Sequence, residues 1–254
     1  MPRQLALFLA AVQFLTRIPV PALKAFRPDW TARSARYFSL VGALVGLASG
    51  AVLMAASEVW GGMLPALLAT AAGILITGAF HEDGLADTAD GLGGGQTPER
   101  RLEIMKDSRV GTFGVLALGL GVALKVAALG QTPVVAGVLA LVAAHAGGRG
   151  AAVLAMRALP YAGDRTVAKV KPVTDGVTTA EVVVGWLFVT LAMAPVALLA
   201  PVATAGALAG AAVVAAAVAV LARRLIGGWV GDTLGATEQA FEVGFLVVFA
   251  GLVA

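Results

Sequence analysis

Long apolar runs separated by short polar stretches organise the chain. The runs cover 37–57, 63–80, 111–130, 133–156, 182–200, 202–222 and 236–254. A membrane-spanning helix needs about 20 predominantly apolar residues, so the pattern predicts an all-α polytopic helical membrane protein with six to seven transmembrane helices. Residues 4–16 are apolar but short, and Pro19 and Pro21 follow them. This predicts an N-terminal interfacial or re-entrant helix. Gly42, Gly46 and Gly50 recur every fourth position in the first run, a small-residue face suited to close helix packing. Glycines at 111, 114, 119 and 121 recur in the third. A soluble core would need apolar runs of only about 4–8 residues between polar faces. No linker divides the chain, so 1–254 reads as one integral membrane domain with a polar loop at 81–110 that is the candidate for its function.

Composition agrees. Of 254 residues, 59% are hydrophobic and 13% charged, with a mean hydropathy of +0.90. A soluble domain carries about 25% charged residues. Cysteine is absent, which removes disulfides, thiolate metal sites and a thiol nucleophile. The pI near 9.6 comes from a net charge of only +3, too little to argue for nucleic acid. No cleavable signal peptide is expected, because the first apolar run ends in Thr16-Arg17-Ile18-Pro19. With the N-terminus in the cytoplasm, segments 1–36, 81–110, 157–181 and 223–240 lie inside and hold sixteen of the eighteen Lys and Arg. The remaining two, Lys125 and Arg149, sit within spans, so one orientation satisfies the positive-inside rule. Lys24, Arg27, Trp30, Arg33 and Arg36 suit a headgroup-level surface.

Against this background the stretch His81–Gly114 stands apart, with seven of the fifteen acidic residues. Asp83, Asp87 and Asp90 are spaced i, i+4, i+7, which puts them on one face of a helix. Like charges so placed repel unless a cation sits among them, and hard oxygen donors suit Mg²⁺ or Mn²⁺. Glu82 adjoins the set as a further oxygen ligand. Gly93 and Gly94 belong to a glycine run whose backbone N–H groups suit an anion. A solvated acidic loop is the plainer reading, but acidic residues beside membrane spans default to function.

Other candidates keep two readings each. Lys106 and Arg109 bind phosphate, or residues 100–107 form a membrane-surface helix and Asp107 simply pairs with Arg109. His145 and Arg149, one turn apart in a span, hold a phosphate or make interhelical hydrogen bonds, and Lys125 either lines the cavity or snorkels. Asp232 completes the metal or nucleophile site, or caps a helix with Thr233. The loop 157–181 carries Asp164, Arg165, Lys169 and Lys171. His81-Glu82 begins like a zinc-protease motif, but Leu85 stands where the second His is needed.

The block HEDGLADTADGLGGG followed by RRLEIMKDSRVGTFG closely resembles the cobalamin synthase family, the adenosylcobinamide-GDP ribazoletransferases. QFLTRIPVP and GDTLGATEQ resemble that family's patterns near the two ends. The resemblance implies a multi-pass enzyme of the bacterial inner membrane with its active site facing the cytoplasm. It implies that adenosylcobinamide-GDP and α-ribazole, or its 5′-phosphate, are joined with Mg²⁺ and GMP is released. Asp83, Asp87 and Asp90 would then hold the metal, one Asp would act as base, and Lys106 and Arg109 would bind phosphate. Two alternatives share parts of this pattern. A CDP-alcohol phosphotransferase would need Arg at position 87, where Asp stands. An ion-coupled transporter would place carboxylates near the midplane in repeated halves, and no second copy of the block exists. The glycine and alanine faces allow packing within one chain or as an oligomer.

Overall fold

The apolar runs form helices, and the polar block forms helices too. The computed structural model describes residues 2–21, 30–163 and 176–253. Lys24 and Arg27, and Asp164, Arg165, Lys169 and Lys171, lie outside the described residues. The helices are α1 (Arg3–Leu15), α2 (Trp30–Ser34), α3 (Phe38–Ser57), α4 (Leu64–Thr77), α5 (Phe80–Gly94) and α6 (Pro98–Met105), then α7 (Thr112–Gln131), α8 (Val134–Ala158), α9 (Thr179–Leu199), α10 (Pro201–Ile226) and α11 (Gly231–Val253). Among the described residues, six stretches are long and apolar enough to cross a membrane: Ala32–Ser57 and helices α7 to α11. At 13 residues, α1 is shorter than a span.

Close packing follows the small residues. A methyl group added at Gly46 or Gly50 would stand 2.6 Å from Leu141 O or 2.9 Å from Val138 Cγ1, and Gly42 meets His145 and Arg149. All of these partners lie on α8, in antiparallel order. The three glycines therefore let the α3 and α8 backbones touch. Phe241, Phe245 and Phe249 stack along α11 at 6.3 and 6.0 Å, inside a core of alanines from α8 and α10. At the N-terminus of α9, the buried Glu181 accepts from Arg36 at 2.6 Å and Arg33 at 3.1 Å. It also closes a capping box with Thr178, so the segment before α3 is tied to α9.

The second run departs from expectation. It is a 14-residue helix, α4, followed by a 90° bend into α5. The bend lies at two successive left-handed residues, Gly78 (φ 67°) and Ala79 (φ 59°). Gly78 N donates to Leu75 O and Ala79 N to Ile74 O, a Schellman stop. The Arg17 side chain lies against Gly78 where a Cβ would stand. The stretch 81–110, expected as a loop, is therefore mostly the helical pair α5 and α6, because the chain re-enters a helix immediately after the break.

Alanine at a left-handed φ costs roughly 1–2 kcal/mol, and glycine there costs about 0.4–1 kcal/mol of extra chain entropy. Ala79→Gly should therefore stabilise the protein by about 0.5–1 kcal/mol. Thermal unfolding of the purified protein checks this, and a lowered midpoint would mean that the Ala79 methyl is needed for packing.

Candidate active site

Two polar assemblies stand where α5 meets the bundle. The first is built by the crossing of α5 and α11. A Cβ at Gly84 would stand 2.8 Å from Asp232 O, and one at Gly235 would stand 3.1 Å from His81 O. Only glycine on both helices allows backbones this close. The Thr233 hydroxyl bonds Val230 N and Val230 O, both at 2.9 Å, so α11 begins at Gly231 rather than near 236 and Asp232 rides in its first turn. The crossing sets Asp232 against the acidic face of α5. Asp232, Asp83 and Asp90 all lie close enough to act electrostatically on Asp87, and Asp83 acts likewise on Asp232. Asp83 is exposed, and Asp87 and Asp232 are half-buried. Among the described residues, none of these three side chains has a hydrogen-bond or ion-pair partner. Repelling carboxylates without a counter-charge, at a place open to solvent, fit a hard divalent cation.

Asp90 is placed differently. It is 8% exposed. Its Oδ2 accepts from Gly111 N at 2.6 Å and its Oδ1 from Gly114 N at 2.9 Å. Gly93 faces the ring of Phe113, where a Cβ would come within 2.9 Å, so this glycine makes room for an aromatic side chain. Gly94 is exposed at the end of α5. Arg109 Nη2 pairs with Asp107 Oδ2 at 2.6 Å, and the hydrogen bonds from Arg109 hold the Asp107 carboxyl down at about 2. Lys106 is exposed at the end of α6.

The second assembly lies deeper and joins four helices. Glu242 of α11 meets Lys125 of α7 at 2.6 Å, and His145 and Arg149 of α8 at 2.5 and 2.8 Å. Arg149 Nη1 also bonds Glu238 at 2.5 Å and is only 2% exposed. Gln239 links the second oxygen of Glu238 (2.9 Å) to Glu82 of α5 (3.1 Å), and His81 approaches Arg149 at 3.5 Å. Glu82 thus faces the buried network rather than the aspartates. One of its oxygens, Glu82 Oε2, has no partner. His145, Glu238 and Glu242 bring donor atoms within 4.8 Å of one another, and they form the one such trio among the described residues. Arg149 and Lys125 already supply the positive charge there. Asp83, Asp87, Asp90 and Asp232 form no trio that tight.

His145 and Arg149 are therefore brought to each other and to α11, while Lys106 and Arg109 stand on the exposed rim. Sequence reasoning missed Glu242 and gave Glu238 no role. Their signal was available: two acids one turn apart inside an apolar run, with Lys125 and Arg149 in other spans lacking countercharges.

The sequence profile of the cobalamin-5-phosphate synthase family matches residues 7–250. The chain is 44% identical to the adenosylcobinamide-GDP ribazoletransferase of Leptothrix cholodnii over 93% of this chain and 92% of that one. It is 41% identical to the enzyme of the same name from Shewanella frigidimarina, over 98% and 95% of the two chains. The Shewanella amazonensis enzyme is 40% identical, over 95% and 93%. No solved structure matches the chain.

Proposed function

The chain belongs to the cobalamin-5-phosphate synthase family, and on that premise we propose that it joins adenosylcobinamide-GDP to α-ribazole, or to its 5′-phosphate, with release of GMP. It is a transferase of cobalamin biosynthesis, acting at the step that completes the nucleotide loop. Its relatives support neither a CDP-alcohol phosphotransferase nor a transporter.

The observation that carries the chemistry is the set of unpaired carboxylates at the α5–α11 crossing. Asp83, Asp87 and Asp232 would hold Mg²⁺ or Mn²⁺, which supplies charge neutralisation for a diphosphate and for the departing nucleotide. One of these carboxylates takes the proton from the attacking ribazole hydroxyl. The hydroxyl oxygen bonds to the phosphorus nearer the cobinamide, the phosphorus–oxygen bond to the GMP phosphate breaks, and GMP leaves with the bridging oxygen. Lys106 and Arg109 on the rim draw in the anionic substrate, Arg109 after exchanging its Asp107 partner for phosphate.

The mouth faces the cytoplasm of a bacterial inner membrane in this reading. The support is Arg100, Arg101, Lys106 and Arg109 in and after α6, together with Arg157 and Arg223-Arg224 in the last turns of α8 and α10; Arg101 donates to Leu225 O at 3.1 Å and so brings α6 to the end of α10. The test is GMP release from adenosylcobinamide-GDP and α-ribazole by membranes carrying the protein, with Mg²⁺, with Mn²⁺ and with a chelator. The expected result is metal-dependent release. Equal release in the chelator would remove the metal from the proposal, and no release in any condition would remove the reaction.

A further inference from the structure

We infer that Asp90, although in register with Asp83 and Asp87, is a positioning residue that clamps the start of α7 and so ties the rim segment 106–111 to the acidic helix. This rests on the reaction proposed above. Three observations carry it. Both carboxylate oxygens are already engaged by backbone amides, at 2.6 Å from Gly111 and 2.9 Å from Gly114. Asp90 is buried, whereas Asp83 is exposed and Asp87 half-buried. Third, the space is shaped around that carboxylate. A Cβ at Gly111 would stand 2.6 Å from Asp90 Oδ1, and one at Gly114 would press on Oδ2 and stand 3.1 Å from Ala86 O.

The first turn of α7 has no side-chain cap of its own, since its N-cap is Gly111. The amides of a helix's first turn have no partner within the helix, and an acceptor close in sequence usually supplies one. Here the acceptor comes from 21 and 24 residues away, on a different helix. A carboxylate is well suited to this, because it offers two oxygens and its charge favours a helix N-terminus. The two bonds join the acidic helix to the segment that carries Lys106 and Arg109. The position of those two basic groups relative to Asp83 and Asp87 then depends on Asp90.

The test compares Asp90→Ala, Asp90→Asn and Gly114→Ala with the wild type in membranes. In Asp90→Ala, the KM for adenosylcobinamide-GDP should rise about tenfold or more while the Mg²⁺ concentration for half-maximal rate stays within about twofold. Asp90→Asn keeps one acceptor oxygen and should fall between Ala and wild type. Gly114→Ala removes no carboxylate, yet it should reproduce the KM rise by displacing Asp90. The double variant should be no worse than Asp90→Ala alone, since both act through one contact. A shift of tenfold or more in the Mg²⁺ requirement of Asp90→Ala would make Asp90 a metal ligand and overturn the inference. A lower rate at unchanged KM and Mg²⁺ requirement would reduce it to a folding contact, which also overturns it.

A second readout needs no turnover. Hydrogen exchange of the Gly111 and Gly114 amides should accelerate in Asp90→Ala, with the amides of α5 still protected. Unchanged protection at both glycines would overturn the clamp whatever the reaction proves to be. Wild-type membranes that release no GMP, but show this exchange pattern, would leave the clamp standing and remove only the reaction.

Discussion

Asp87→Asn is expected to lower GMP release by about 10²–10⁴-fold, the range lost when a positioned proton acceptor is removed, while leaving the protein at least as stable as the wild type. The two effects have one cause. Asp87 is repelled by Asp232 on α11 and by Asp83 and Asp90 on its own helix, without a cation partner among the described residues. Its negative charge is unfavourable for the fold in the absence of a bound ion. Asparagine keeps the shape, removes the charge and with it the carboxylate that the proposed reaction uses. Active sites commonly trade stability for function in this way. Two measurements check it: turnover in membranes over a Mg²⁺ series, and thermal unfolding in chelator. Normal turnover would take Asp87 out of the chemistry, and a large drop in the chelator midpoint would show that its charge is paired.

The second large effect concerns stability. Arg149→Ala leaves Glu238 and Glu242 buried in the bundle with Lys125 as the one remaining full cation beside them among the described residues. Removing one partner of a buried ion pair costs about 3–5 kcal/mol, a large share of the 5–15 kcal/mol typical of a whole domain. Arg149→Ala should therefore yield little folded protein after extraction, judged by monodisperse elution in detergent. Arg149→Met combined with Glu238→Gln removes one charge of each sign and should recover most of the loss. Failure of that pair, with Arg149→Met alone no worse, would mean that Arg149 acts through its packing against Gly42 rather than through its charge.

The spans were legible because the contrast between apolar runs and polar stretches is so strong in this chain, and Gly42, Gly46 and Gly50 could be read as a packing face before their partner was known. The helical register of Asp83, Asp87 and Asp90 was equally plain. The bend at Gly78 and Ala79 was not, since alanine carries no turn signal and its left-handed backbone is imposed by the surrounding packing. The task of Asp90 depends on amides 21 and 24 residues away, a separation at which periodicity carries no information. Gly93 looked like an anion cradle because a glycine run reads the same whether it faces a phosphate or a phenyl ring. The buried network was legible only in halves: two basic residues in spans, Lys125 and Arg149, and two acids one turn apart in another apolar run, Glu238 and Glu242, with nothing local to pair them.

The network also bears on how the chain enters the bilayer. A charged side chain at the centre of a helix costs about 2.5–3.5 kcal/mol when the translocon releases that helix into lipid. Helix α11 carries Glu238 and Glu242 near its middle, so on its own it would partition poorly. It is also made after α7 and α8. By the time it emerges, α7 and α8 have already delivered Lys125 and Arg149, and the two acids can be neutralised as they arrive. The order of synthesis thus makes the earlier helices a receptor for α11, and Asp232 reaches the mouth only when that helix is seated.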